Sequence, residues 1–364
     1  MEMGKIELPV KPYNELWIDC VSNNMLSVLS AHNEEWTYLP CFSKAYYAKR
    51  MLIPEVASEE DFKLYMHEGW LTLQVQYLLP DLQNFFEFNN LQVESQIETF
   101  NTIKRKLNQG YYVSIELDRF YFSGGIEYNK KHLVHPTLIY GYDEKQHSFL
   151  LLEDCVQLGH LQEYRLSYSD FTLSYQALEV ELQQNKTVFH AFKIKPFEQS
   201  EFLLNNIRET TIENLNFYLS GCRQDYEDIF YDEYGINAIR CYADYVEDIV
   251  YAAHHKEHLY HISKMPFNMQ KRNLLLIELM HQFNIINDEQ NSLLKKKYED
   301  LKVQWQLLKN KILYYRESTG CNSPTIMDFR ERLLVLYLKE KEAGLIFLAC
   351  LEKNEIISGK GAQQ

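Results

Sequence analysis

Glycine and proline are scarce, with 13 Gly and 9 Pro in 364 residues, about half of ordinary usage. Collagen-like, linker-rich and low-complexity chains are thereby excluded. Seven cysteines (Cys20, Cys41, Cys155, Cys222, Cys241, Cys321 and Cys350) are odd in number, widely scattered and never spaced as CxxC. That pattern argues against a disulfide framework or a zinc knuckle and reads as reduced thiols. Basic charge is short as well: 37 Lys and Arg against 51 Asp and Glu give a net charge of −14. Long-range attraction to nucleic acid or to an anionic membrane is disfavoured, so neither is expected as a partner, whereas a cationic substrate would be attracted. No uncharged run reaches the roughly 18 to 20 residues that span a bilayer. The first residues show no basic head followed by an apolar run, and a cytoplasmic protein is expected. No glycine-rich phosphate loop and no internal repeat are visible. What is abundant is aromatic: 27 Tyr, 20 Phe and 4 Trp, within a 46% hydrophobic composition able to fill a sizeable core.

The pattern changes near residue 200. Before it, residues 111–117, 137–142, 148–152 and 188–194 are short apolar or alternating runs bounded by turn residues, which predicts four strands of one sheet. The segment 143–147 has the length of a hairpin loop, so the second and third strands should be antiparallel neighbours. Ahead of them, apolar residues at 21, 25, 28 and 29 predict a helix beginning at Cys20, and 95–108 predicts a second helix. Beyond 200, the stretches 202–221, 234–263, 269–315 and 325–353, punctuated by Pro266, Gly320 and Pro324, predict helices. The fold class expected is therefore α+β, with a first domain over 1–198 and an all-helical domain over 199–364.

Three features bear on chemistry. Cys20 stands at the start of a predicted helix, where free backbone N–H groups and the helix dipole favour a thiolate. His135 precedes Pro136 at the entrance to a core strand, the one strand position where proline is tolerated, so its ring can reach a cleft. The strand FLLLEDC ends in two carboxylates, Glu153 and Asp154, and the predicted hairpin brings them to the end of the sheet where His135 lies. Adjacent strand residues face opposite sides, so one of the two acids should face the cleft. His132 is a rival base, but Pro136 and the apolar run favour His135.

With Cys20, His135 and Asp154 in that order, the chain resembles the papain-like cysteine-protease superfamily. More narrowly, DCVSNNMLSVL, HLVHPTLIYGYD and FLLLEDC resemble bacterial acyltransferases of natural-product biosynthesis, typified by the butirosin side-chain transferase and the amide-forming enzyme of closthioamide assembly. The resemblance covers residues 10 to 195 and extends to the helical half only in layout. It implies a papain-like fold, Cys20 as nucleophile, His135 as base and acid, and Asp154 rather than Glu153 as the group that orients the imidazole. It implies further that an acyl group passes from a carrier-protein thioester, through acyl-Cys20, to an amine. Phosphopantetheine then arrives on the acyl carrier protein or thiolation domain, and no cofactor of the chain's own is expected. Where the papain-like pattern has a glutamine six residues before the cysteine, this chain has Asn14, a candidate oxyanion donor beside the Cys20 backbone N–H. The helical domain is expected to shape the acceptor pocket.

Other features have plainer readings. His254, His255, His258 and His261 sit at helical spacings among charged residues and read as a solvated face, so no metal is expected. The acidic, aromatic run 225–234 reads as a helix with one wet face, or alternatively as an anionic pocket for a polyamine or aminoglycoside acceptor. Lys130 and Lys131, Lys271 and Arg272, and Lys295 to Lys297 are candidate contacts for an acidic carrier protein. Two other functions stay open: a cysteine peptidase or amidase with the same triad and water as final nucleophile, and a catalytically silent binding module.

Overall fold

A computed structural model describes residues 4–53, 55–61, 73–78, 82–92, 96–181, 188–196, 206–226, 229–246, 261–317 and 323–353. The chain divides into two compact units, Met1–Leu39 with Pro80–Gln199, and Pro40–Leu79 with Ser200–Gln364. The expected division at 198/199 is thus corrected: residues 40–79 group with the C-terminal half. Both units mix helix and strand, so α+β holds for the whole chain.

The strands are β1 (Lys5–Glu7), β2 (Lys44–Leu52), β3 (Gln74–Leu78), β4 (Phe86–Gln92), β5 (Tyr112–Asp118), β6 (Val134–Asp143), β7 (Ser148–Glu153), β8 (Gln162–Ser167), β9 (Val188–Ile194), β10 (Cys222–Tyr226) and β11 (Phe230–Tyr234). The helices are α1 (Cys20–His32), α2 (Gln96–Asn108), α3 (Tyr168–Glu181), α4 (Ile207–Ser220), α5 (Asn237–Asp244), α6 (His261–Gln282), α7 (Asp288–Glu317) and α8 (Ser323–Lys353).

In the first unit a seven-stranded sheet runs β4-β9-β5-β6-β7-β8, with β1 added against β6. All its pairings are antiparallel. The four expected strands form its middle, and the hairpin over 143–147 joins β6 to β7 as predicted. Apolar residues of β5, β6 and β7 form rows across one face: Val113 opposite Ile139, and Ile139 opposite Leu151. These three are fully buried with Ile103 and Leu107 of α2 and Phe171 of α3. Where β6 shifts register between Ile139 and Gly141, β1 passes so close that a Cβ on Gly141 would lie 2.3 Å from the Ile6 carbonyl oxygen. A side chain there would displace β1.

The buried face of α1 differs from the apolar face expected. Val21 is exposed, and the buried side chains include Asn23, Ser27 and Ser30 beside Leu26, Val28 and Leu29. Asn23 and Ser27 are held by hydrogen bonds to the segment that precedes the helix, as described below, whereas the buried Ser30 hydroxyl makes none.

In the second unit, β2 is central to a four-stranded antiparallel sheet ordered β10-β11-β2-β3. The expectation of an all-helical second domain is corrected here. The run 225–234, read as a helix, contributes to the antiparallel hairpin of β10 and β11, whose aromatic residues Tyr226, Phe230, Tyr231 and Tyr234 suit a strand. Asp232, offered as part of an anionic pocket, is buried and gripped by the Arg50 guanidinium at 2.8 and 2.9 Å. Asp225 pairs with Arg223; Asp228 lies outside the described residues. Pro324 stands in the first turn of α8, where proline is at home, whereas α6 continues through Pro266 instead of ending there.

The core of this unit is polar at its centre. Glu340 is fully buried and accepts hydrogen bonds from Tyr47 Oη, Gln270 Nε2, Trp305 Nε1 and Tyr218 Oη. Burial pushes its carboxyl up, and these donors pull it back. Arg272, suggested as a docking residue, is buried and donates to the carbonyls of Cys41 and Ser43, each at 2.7 Å. A guanidinium so engaged is structural. Among the described residues no helix is long and apolar enough to cross a membrane.

Candidate active site

The site is assembled at one end of the first unit's sheet. Asp19 begins α1 in an extended conformation: its carboxylate accepts from the Ser22 N–H at 2.8 Å and the Ser22 hydroxyl at 2.7 Å. Its carbonyl takes the N–H of Asn23. This is an N-cap that satisfies part of the first turn, and helix geometry leaves the N–H groups of Cys20 and Val21 without an intrahelical acceptor. Cys20 is therefore the first residue of the helix and half-buried, and its backbone N–H is one of the donors that a helix N-terminus leaves open.

The approach to Cys20 is fixed by Asn23, which is fully buried. Its Oδ1 accepts from the Ile18 N–H at 2.9 Å, and its Nδ2 donates to the carbonyls of Tyr13 and Leu16 at 3.1 and 2.8 Å. Ser27 adds a bond from the Tyr13 N–H at 2.9 Å. Asn23→Ala strips three backbone groups of their partner and should cost about 2–3 kcal/mol, read as a lowered denaturation midpoint. Alkylation of Cys20 by iodoacetamide should slow in the same variant, because Ile18, two residues before the sulfur, is no longer tethered.

On the sheet side, the ladder of β5 and β6 places Leu117 opposite His135, and Arg119, one residue past β5, donates its N–H to the Leu133 carbonyl at 2.9 Å. His135 Nε2 lies 2.8 Å from Cys20 Sγ, across a sequence separation of 115 residues. The His135 side chain is 15% exposed. Burial lowers the imidazole's affinity for a proton, but the hydrogen bond to Cys20 and the Glu153 carboxylate outweigh it, and the group is pushed up to about 9.

The two carboxylates at the end of β7 behave differently from the expectation for Asp154. One Asp154 oxygen is taken by Arg119 and the other by the Gly159 N–H at 2.7 Å. Donor atoms of Cys20, His135 and Asp154 all lie within 4.8 Å of one another, so Asp154 is beside the pair. It is Glu153, however, whose Oε2 comes to 3.7 Å from His135 Nδ1. Arg119 also grips Glu153, and the Thr137 hydroxyl donates to its other oxygen at 2.5 Å. Burial acts against the charge on Arg119, while the two carboxylates hold it protonated. His135 Nδ1 is buried and makes no hydrogen bond.

Asn14 is engaged with backbone: its Nδ2 donates to the Leu161 carbonyl at 2.9 Å, and its Oδ1 accepts from the Leu161 N–H at 2.8 Å. One amide hydrogen is thus committed to tying the start of the chain to the segment before β8. The rival base His132 is turned to other work, with Nδ1 2.5 Å from Asp118 and its ring stacked on Phe120.

Sequence reasoning missed Arg119. The available signal was its place one residue beyond a strand, in a ladder with the strand that begins beside His135. The cluster of Cys20, His135 and Asp154 is compact enough to raise the question of a metal. Its donor set does not suit one, because both Asp154 oxygens are already engaged and the Arg119 guanidinium would repel a second cation. His254, His255 and His258 lie outside the described residues, as does the side chain of His261. The six cysteines among the described residues are free thiols. No protein-family model matches this chain, and no curated protein matches it either.

Proposed function

We propose that the protein is a cysteine-dependent acyltransferase that takes an acyl group from a carrier-protein or pantetheine thioester and delivers it to an amine as an amide. The observation that supports this reading is the 2.8 Å approach of Cys20 Sγ to His135 Nε2 at the mouth of a helix N-terminus. A thiolate beside an imidazolium is a nucleophile with its own proton donor, and the free N–H of the first helical residue is a ready stabiliser of the developing oxyanion.

In the first half-reaction Sγ attacks the thioester carbonyl, the carbon–sulfur bond to pantetheine breaks, and the departing sulfur takes the proton from His135 Nε2. In the second, an amine attacks the acyl-Cys20 carbonyl and gives its proton to the now neutral Nε2. The sulfur of Cys20 then leaves, and the thiolate–imidazolium pair is restored. One thioester and one amine yield one amide and one thiol, with no oxidant and no nucleotide. The resemblance to butirosin-type acyltransferases supports the choice of thioester as donor and amine as acceptor. The net negative charge suits a cationic acceptor such as a polyamine or aminoglycoside. Exposed Lys130 and Lys131, close in sequence to His135, would meet an acidic carrier.

The test is intact-protein mass after incubation with acyl-pantetheine or acyl-loaded carrier protein. An adduct of one acyl mass that disappears on adding amine, with amide in the supernatant, is the expected outcome. Release as free acid at the same rate with and without amine would make the protein a hydrolase; no adduct with any donor would leave the fold as a binding module. The direction of the pH dependence follows from the raised imidazole. His135 must carry a proton to release the pantetheine thiol, so adduct formation should be sustained through neutral pH and fall as pH rises through about 9. A stopped-flow profile of the acylation step measures it.

A further inference from the structure

We propose that Glu153, clamped by Arg119 and Thr137, is the positioning carboxylate of His135, and that Asp154 serves as the second arm of the clamp. The inference rests on the acyltransferase reading for its kinetic consequence but on geometry for its structural one. The register of β6 and β7 pairs Leu138 with Leu152, which sets Thr137 across from Glu153. His135 lies two residues from Thr137 and therefore shares its face of the pleated sheet. A carboxylate at 153 is delivered to the imidazole's side by that alternation. Residue 154 begins on the other side and depends on the chain turning out of the strand.

The hydrogen bonds bear this out. Glu153 has one oxygen tied to Thr137 and the other directed at Arg119 and at Nδ1, 3.7 Å away. Asp154 spends its oxygens on Arg119 and the Gly159 N–H. His135 Nδ1 is buried and without a hydrogen bond, a polar atom in want of an acceptor, as is Arg119 Nε beside it. A shift of about 1 Å by Glu153 would close the bond, the kind of tightening that catalytic contacts undergo when substrate binds.

The charge count points the same way. The groups around the imidazole are Cys20 from α1, Glu153 and Asp154 at the end of β7, and Arg119 beyond β5. Arg119 is one cation between two buried carboxylates, with side chains 1%, 1% and 5% exposed. One negative charge is left over, and the ion-pair distance places it at the imidazole, where it favours the protonated ring required to discharge the donor thiol. Arg119 thus prevents the second carboxylate from adding to that charge, and it holds Glu153 in place.

The experiment follows the His135 ring by NMR in ring-labelled full-length protein, with acylation kinetics beside it. Glu153→Gln should lower the midpoint of the His135 titration by at least about one pH unit and slow acylation about 100-fold or more, with KM little changed. Asp154→Asn should move the midpoint by less than half as much. Glu153→Asp, which keeps the charge but draws it back by one methylene, should slow acylation about tenfold, and it carries the test should the glutamine variant not fold. A midpoint that moves in Asp154→Asn and stays put in Glu153→Gln would overturn the assignment, as would wild-type acylation in Glu153→Asp. If no thioester donor is accepted and Glu153→Gln still lowers the midpoint, the positioning role stands and the transferase reading falls. If donors are used while the midpoint ignores Glu153, the reverse holds.

Discussion

Cys20→Ala is expected to abolish the acyl adduct and to lower amide formation by about 10⁵-fold or more, the scale on which removing a covalent nucleophile acts. The loss should fall on kcat, because alanine is smaller than cysteine and the half-buried start of α1 can accept it without rearrangement. Stability should change by less than about 1 kcal/mol, since the sulfur's partner in the fold is the His135 ring and no backbone group depends on it. Near-normal donor binding with no turnover is therefore the signature sought, by calorimetric titration with a non-hydrolysable acyl-pantetheine alongside intact mass. A Cys20→Ala protein that still makes amide would remove the covalent mechanism altogether.

The largest effect on stability is expected in the second unit, where Glu340→Ala leaves Tyr47, Tyr218, Trp305 and Gln270 without their common acceptor. Deleting one member of a buried network strands the others in a low dielectric, at about 3–5 kcal/mol. The cavity adds to this. Urea titration should show the midpoint falling steeply, with the tryptophan fluorescence of Trp305 reporting the transition. Glu340→Gln keeps the shape but turns an amide donor toward an array of donors, so it should recover only part of the loss.

Much of the end that holds Cys20 and His135 was legible because it is written in short-range signals. Asp19 before Cys20 is an N-cap by residue type, and the helix indeed starts at the cysteine. Pro136 after His135 marks a strand entrance, although β6 begins at Val134, two residues before the proline expected to open it. The loop between β6 and β7 is short, so their pairing followed from length. The question of Glu153 or Asp154 turns on register, and that register cannot be counted from the hairpin: the pairs next to the turn extrapolate to Thr137 opposite Asp154, and the shift between Ile139 and Gly141 puts Glu153 there instead. The resemblance points to the neighbouring acid, Asp154, which also lies beside the Cys20–His135 pair. Arg119 escaped because an arginine after a strand looks like any solvated turn residue until the buried carboxylates are placed around it.

What was not legible depends on long-range pairing. β10 and β11 mix aromatic and charged residues without strict alternation, which in isolation also fits an amphipathic helix. Their status as strands comes from β2, some 180 residues earlier in the chain. Likewise the polar buried face of α1 reads as a flaw in a hydrophobic pattern unless one knows that Asn23 serves backbone groups at 13, 16 and 18. Local periodicity reports which residues are apolar, and neither of these facts is about apolarity.

The membership of β2 in the second unit has a consequence for how the protein is made. Its residues leave the ribosome early, yet the strand they pair with on one side, β11, is synthesised only after the whole of the first unit's sheet. During translation β2 must wait with an open hydrogen-bonding edge, an invitation to chaperones or to wrong partners. A fragment cut after residue 199 would carry that orphan strand permanently, and its complement would lack the middle of its own sheet. Neither half of this chain is a portable module, and a functional fragment would have to be excised around residues 40–79 as well as at 199.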